Sequence, residues 1–302
     1  MLAIAGPTAA GKSALAHAVA RELRGEIVVA DPFQRYRGLE LAADAPRELS
    51  RREVVYHCVG DLRLDQSSTA ADFALKAHRA IDACMHAERV PIVSGGTGLY
   101  LRAAISDMDF PAAGEGRDSA WAERLALSDP DAALRALRAA DPEAAESVDA
   151  ANARRVARAL AIAASGGRSR TSTALWSSET RYPALIIMVT RPREVLDDLI
   201  AARVRRELDE GLIDELETAL DTPGVSREAM QIIGAKEVAA MRAGILDRSE
   251  LEERLCARTR RLARKQLTWL RKSRVDREID LGDRPADTAL AEVLDVWGNG
   301  EE

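Results

Sequence analysis

Gly6-Pro7-Thr8-Ala9-Ala10-Gly11-Lys12-Ser13 follows directly on a short apolar run, Leu2 to Ala5. It opens a stretch, Lys12 to Leu23, whose apolar residues recur at helical spacing. The pattern G-x-x-x-x-G-K-[ST] between a strand and a helix is the setting in which a loop wraps its backbone N–H groups around phosphate oxygens. The helix N-terminus adds a favourable dipole. Lys12 supplies a point charge to the terminal phosphate, and the Ser13 hydroxyl can ligate Mg²⁺. Gly6, Thr8, Ala9, Ala10, Gly11, Lys12 and Ser13 are therefore the expected diphosphate-binding residues. The loop specifies a diphosphate or polyphosphate; by itself it specifies neither ATP nor hydrolysis.

The remainder of the chain extends this unit. Glu26 to Ala30 and Val90 to Val93 read as further buried strands, and Ala70 to Ala87 reads as a helix capped by Ser68 or Thr69. Another helix is expected from Leu99 onward, and Ala184 to Val189 reads as the last core strand. Helices are expected over Arg193 to Glu210, Arg227 to Arg242, Ser249 to Lys272 and Asp287 to Val296. Strands alternating with helices predict an α/β fold, a P-loop NTPase-like parallel sheet flanked by helices. Between Asp107 and Arg181 the sequence is rich in Ala, Arg and Asp with no convincing strand, which predicts a helical insertion lobe. The expected organisation is a core of residues 1–106 and 182–302 with a lobe of 107–181.

Composition narrows the partners. No apolar run is long enough to span a bilayer, and the N-terminus lacks a signal-peptide pattern, so a cytoplasmic protein without membrane association is expected. Cys58, Cys84 and Cys256 are far apart with no CxxC pair, and the four histidines lack ligand spacing, so neither a disulfide framework nor a zinc site is indicated. The net charge of −6 argues against a surface coated for nucleic acid, yet Arg254 to Arg274 holds nine basic residues and no acid. Such a stripe either attracts a polyanion locally or is a solvated helix face paired with nearby acids.

Asp31 follows the second strand and is expected at the carboxyl end of the sheet, where open α/β sheets bind ligands. Position alone leaves two roles open, a Mg²⁺ group acting through water and a general base. The neighbouring residues carry a resemblance. Asp31-Pro32-Phe33-Gln34-Arg35-Tyr36, Ser68 to Phe73, Val93-Ser-Gly-Gly-Thr97-Gly-Leu-Tyr100 and Arg155-Val-Ala-Arg158-Ala-Leu160 resemble successive segments of the tRNA dimethylallyltransferase (isopentenyl transferase) family. So do Gly211-Leu212 with Glu215, Ile233-Gly-Ala-Lys-Glu237, and Thr259 to Arg271 with its Gln266-Leu-Thr268-Trp269.

The resemblance implies transfer of the dimethylallyl group of dimethylallyl diphosphate to N6 of the adenine at position 37, next to the anticodon, in tRNAs reading codons that begin with U. It implies Asp31 as the base, with Thr97 and Arg203 as further catalytic groups on the departing diphosphate. Lys12 and Ser13, with Mg²⁺ as cofactor, would hold that diphosphate. The target adenine must leave its stack, and Pro32, Phe33 and Gln34 are candidates to receive it. Arg154, Arg155, Arg158 and Lys265 are candidates for phosphates of the anticodon stem-loop. Tyr100 and Trp269 read as packing residues, and a monomer is expected. The chain departs from the family pattern at Pro32, Asn152, Ala161, Leu199, Glu207 and Ala235, mostly in RNA-facing or supporting segments. An adenylate dimethylallyltransferase acting on free AMP, ADP or ATP, a P-loop kinase of a small metabolite, and a non-catalytic RNA-binding protein are the competing readings. The helical insertion and basic helix speak against the first, the Gly-Gly-Thr-x-Leu-Tyr segment against the second, and intact Lys12, Ser13, Asp31 and Thr97 against the third.

Overall fold

The computed structural model describes residues 1–108, 110, 117–167 and 179–299. The chain forms two compact units, Met1–Asp107 with Ser178–Glu302, and Met108–Ser177. Residues 109, 111–116 and 168–178 of the expected lobe lie outside the described residues.

The first unit is built on a six-stranded parallel sheet of order β3-β2-β4-β1-β5-β6. Its strands are β1 (Leu2–Ala5), β2 (Glu26–Val29), β3 (Tyr56–His57), β4 (Pro91–Gly95), β5 (Leu185–Thr190) and β6 (Arg277–Asp280). The central strands β1 and β4 are buried throughout. They lie under helices on both faces, which is why they read as unbroken apolar runs. The helices are α1 (Lys12–Glu22), α2 (Glu48–Glu53), α3 (Ala70–His86) and α4 (Gly98–Ile105). Thr69 caps α3, its hydroxyl accepting from the Asp72 N–H.

The second unit holds α5 (Arg117–Ser128), α6 (Pro130–Ala140), α7 (Pro142–Ser147) and α8 (Ala153–Ala164). Each of the last three begins with a side-chain cap, from Asp129, Asp141 and Asn152. Asn152, a departure from the family pattern, thus still supplies an oxygen to the N–H of Arg155. The core of this unit is mostly alanine, with Leu137, Val156 and Leu160, and small side chains let the short helices pack closely.

The first unit resumes after β5 with α9 (Arg193–Asp209), α10 (Leu212–Leu220), α11 (Ala235–Arg242), α12 (Arg248–Leu270) and α13 (Leu290–Gly298). The single helix expected over Arg227–Arg242 is not formed. A 3-10 turn, Ala229–Gln231, is separated from α11 by Gly234 at φ 108°. A Cβ there would lie 2.6 Å from Leu216 Cδ1. The Glu237 carboxylate accepts the Gly234 N–H at 3.1 Å and fixes the break. Elements that the sequence reading left out are the short α2, the helix α10, and the strands β3 and β6.

Helix α12 crosses α4 at Gly98. A Cβ on Gly98 would lie 1.9 Å from ring atoms of Trp269, so Trp269 is a packing residue, as is Tyr100, which is buried against Phe73. Helix propensity favours alanine over glycine by about 1 kcal/mol, but an overlap with a rigid ring is the larger effect. Gly98→Ala is expected to lower stability by about 3 kcal/mol, read as a shifted denaturant midpoint. An unchanged or raised midpoint would show that the ring can withdraw.

Candidate active site

The strand β1 delivers the chain into the loop Gly6–Ala10, and Gly11, at φ 100°, turns it into α1. That backbone conformation strains any side chain, and a Cβ at Gly11 would lie 2.7 Å from Ala286 Cβ. The loop is held from outside. Gln266 Oε1, on α12, accepts the buried Thr8 N–H at 2.8 Å. Arg191, just after β5, donates through Nε to the Ala10 carbonyl at 3.0 Å and through its other nitrogens to the carbonyls of Gly282 and Arg284. Arg203 Nη1 donates to Thr8 Oγ1 at 2.8 Å.

Asp31 stands just past β2, one residue beyond Ala30, whose N–H donates to the Ser94 carbonyl of β4. Its Oδ1 accepts the Phe33 N–H at 2.9 Å. This local turn directs the carboxylate while Pro32, half-buried, takes the chain away from the sheet. Burial pushes the Asp31 carboxyl above its ordinary value, against the opposing pull of the Phe33 N–H, Lys12 and Arg203. Burial also pulls the Lys12 ammonium below its usual value, although Asp31 and Asp44 oppose this.

Arg203, on α9, is engaged by three partners. Besides Thr8 it lies 3.1 Å from Asp44 Oδ2 and 2.6 Å from Glu207 Oε1. Glu207 is one turn further along the same helix, so the pair is an i,i+4 contact. Burial pushes the Glu207 carboxyl up in spite of Arg203.

These groups line a hollow of about 750 Å³ of empty space that includes open solvent. The lining is part polar, with Thr8, Lys12, Ser13, Asp31, Asp44 and Arg203, and part apolar, with Leu212, Ile232, Ile233, Leu255 and Leu262. A second hollow of about 330 Å³ shares Lys12, Ser13, Asp31 and Gln34 with the first and reaches Tyr56 and Ser94. Two spaces therefore meet at one carboxylate and one ammonium. Lys12, Ser13, Asp31, Phe33, Gln34, Thr8 and Arg203 are brought together as the sequence suggested. Thr97 begins α4 at the same end of the sheet, one residue after Gly96, where a Cβ would lie 2.7 Å from both the Gly6 carbonyl and Gln266 Nε2. Thr97 itself lines neither hollow.

Gln266, Asp44, Thr259, Arg191 and the apolar wall were not singled out as site residues. Gln266 and Thr259 lay inside a motif already in view, whereas Asp44 sits in an alanine-rich loop with no pattern around it. The basic stretch is partly committed to internal pairs. Arg258 bonds Glu237 at 2.7 Å, Arg260 lies 3.5 Å from Asp197, and Arg274 lies 2.9 Å from Asp276. Lys265 is exposed on α12. Arg154, Arg155 and Arg158 are exposed on α8 of the second unit. Of the other departures, Ala161 and Ala235 are buried and Leu199 is exposed.

A strand–loop–helix phosphate cradle with an aspartate and an arginine converging on it is common to several chemistries, and sequence comparison separates them. The family model of the IPP transferases matches residues 34–273. The chain belongs to the IPP transferase family. Curated relatives include a tRNA dimethylallyltransferase of Anaeromyxobacter dehalogenans, 39% identical over 280 residues, spanning 91% of this chain and 90% of the relative. Another is a tRNA dimethylallyltransferase of Thermobifida fusca, 36% identical over 279 residues, spanning 90% and 87%. Among solved structures, a full-length tRNA isopentenylpyrophosphate transferase of Bacillus halodurans superposes with a TM-score of 0.72 at 29% identity, covering 99% of this chain and 95% of that one. A eukaryotic dimethylallyltransferase solved acting on tRNA shares the fold, with a TM-score of 0.79 at 22% identity over 99% and 79% of the two chains. The α/β core expected from the sequence is the IPP transferase fold. No helix of the described residues is long and apolar enough to cross a membrane.

Proposed function

We propose that this chain, as an IPP transferase, moves the dimethylallyl group of dimethylallyl diphosphate onto N6 of adenine 37 in the anticodon loop of tRNA. The observation that carries the reading is the meeting of two hollows at Asp31, beside Lys12 and within the field of Arg203. One substrate can approach from each side of the base.

The adenine amino group is a weak nucleophile because its lone pair is delocalised into the ring. As the new N–C bond forms and the C–O bond to the diphosphate breaks, Asp31 takes the proton from N6. A carboxyl raised by burial is better matched to that task than an ordinary aspartate. The leaving diphosphate gains charge, and fixed cations and N–H donors at that point lower the barrier most. Lys12, the loop backbone from Gly6 to Ser13 and Arg203 supply them, and Thr97, outside both hollows, is left to the resemblance alone as a further group on the diphosphate. Ser13, exposed and lining both hollows beside the Asp31 carboxylate, offers the oxygen donors a hard cation prefers. When bound there, Mg²⁺ supplies further charge neutralisation on the diphosphate. Gln34 lines both hollows and can read the flipped base through its amide, with Phe33 and Pro32 beside it. Phosphates of the stem are expected on the exposed Arg154, Arg155 and Arg158 of α8 and on Lys265 of α12.

The deciding experiment is mass spectrometry of nucleosides after incubation with Mg²⁺, dimethylallyl diphosphate and either unmodified tRNA or free AMP. N6-dimethylallyladenosine in the tRNA alone is expected. Product on AMP alone would move the chain to the nucleotide-prenylating enzymes. The pH dependence follows from the same residue. Asp31 must be ionised to accept a proton, so activity falls as pH drops through its raised pKa. The acid limb of kcat/KM is therefore expected above the ordinary aspartate value of about 3.9. A limb at or below that value would contradict the assignment.

A further inference from the structure

At the opposite end of β2 from Asp31, three side chains of different chemistry converge. Glu26 opens β2, His57 ends β3 beside Val28, and Cys84 lies on the buried face of α3 in its last turn. His57 Nε2 is 2.6 Å from Glu26 Oε2, Cys84 Sγ is 3.4 Å from the same oxygen, and Sγ and Nε2 are 3.9 Å apart. Sequence spacing does not reveal the cluster, because its members are 31 and 27 residues apart and on three different elements. Arg89 lies 3.3 Å from Oε1, the other carboxylate oxygen. That contact turns Oε2 toward the histidine and the thiol, as an outer partner orients a ligand.

The triangle can be compared with a tetrahedral ion. Ligand bonds of about 2.0 Å to nitrogen and oxygen and about 2.3 Å to sulfur put the donor atoms roughly 3.3 to 3.6 Å apart. The two edges that include sulfur already lie within about 0.4 Å of that range. The third edge is a direct hydrogen bond and would open by about 0.7 Å as an ion took the place of the shared proton. Cys84 is buried, while the Glu26 and His57 side chains keep 14% and 27% exposure, so an ion and a water can enter from their side. Thiolate and imidazole select a zinc-type ion over Mg²⁺ or Ca²⁺. The cluster is also about 16 Å from Asp31 at the rise of an extended strand, remote from the phosphate loop.

We propose that Glu26, His57 and Cys84 bind one zinc-type divalent ion, with water in the fourth position, as a clamp tying β3 and α3 to β2. Strand β3 is a two-residue edge strand, paired through Tyr56 and His57 with Ile27 and Val28 of β2. The segment running up to it carries Phe33, Gln34 and Asp44 into the active site, so the clamp anchors the far end of that segment. On binding, the Cys84 thiol proton passes to solvent, the proton His57 shares with Glu26 moves to Nδ1, and metal bonds to sulfur, Nε2 and Oε2 replace the contacts among the three.

The test uses the full chain stripped with chelator. Zn²⁺ is titrated by calorimetry and Co²⁺ by absorption, with and without millimolar Mg²⁺. One Zn²⁺ per chain, a raised melting temperature, and a near-ultraviolet thiolate–cobalt band that Mg²⁺ does not displace are expected. Cys84→Ser keeps a hydroxyl donor for Glu26, and so keeps the hydrogen-bonded network, but removes the thiolate. It should lose the cobalt band and weaken Zn²⁺ binding at least about tenfold. His57→Gln provides a second variant with the same expected loss of affinity, and Cys58 and Cys256 serve as untouched controls. Failure of the parent chain to bind one Zn²⁺, or a cobalt band that persists in Cys84→Ser, would overturn the proposal and leave a hydrogen-bond network alone.

Discussion

Asp31→Asn is expected to slow prenyl transfer about a thousandfold, roughly 4 kcal/mol of transition-state stabilisation, while dimethylallyl diphosphate still binds. Asparagine is nearly isosteric and can keep accepting the Phe33 N–H that now bonds Oδ1, so the turn after β2 should survive. What it loses is the capacity to take a proton. The charge change has a second consequence. Lys12 and Arg203 both feel the Asp31 carboxylate, and removing it leaves more positive field for an anionic donor. Donor affinity should therefore hold or improve slightly. Single-turnover rates together with direct donor-binding measurements separate the two possible roles. Lost donor affinity with a steeper Mg²⁺ requirement would make Asp31 a metal-binding group and leave the base unassigned.

The residues that could be read from sequence are those whose role is local. The phosphate loop is contiguous with the strand before it and the helix after it, so Gly6 to Ser13 declared both their structure and their chemistry. Asp31 was legible because a strand end fixes its place. Thr8 shows the limit, since its N–H is satisfied by Gln266, 258 residues away, and no local pattern announces such a bond. The stretch from Arg254 to Arg274 displays charge but not partners, and only the fold shows Arg258 committed to Glu237. Strands β3 and β6 escaped detection for a related reason. Both are sheet edges, one only two residues long and the other, Arg277–Asp280, with Ile279 alone buried, so neither has the apolar run that marks a central strand. The helix expected over Arg227–Arg242 failed at Gly234, where packing against Leu216 and a positive φ override helical periodicity.

Arg203→Met is expected to lower kcat/KM about a hundredfold and to destabilise the fold by about 3 kcal/mol. The two effects have different origins. The stability loss arises because Glu207, with a side chain only 9% exposed, is left as a buried carboxylate without its cation. Burial already pushes its pKa up, and losing Arg203 pushes it further. The deficit should therefore be greatest above that raised pKa and shrink as falling pH protonates the stranded carboxyl. Asp44 contributes less, being 45% exposed with Arg206 3.7 Å away. The double variant Arg203→Met with Glu207→Met removes both members of the pair, and replacing a buried ion pair by apolar groups is often nearly neutral. It should return to within about 1 kcal/mol of the parent in urea unfolding. Transfer should stay depressed, because the guanidinium that bonds Thr8 is then missing beside the diphosphate and Lys12 is left to neutralise it without Arg203. Recovery of activity along with stability would show that Arg203 serves the fold by neutralising Glu207 and contributes nothing directly to the departing diphosphate.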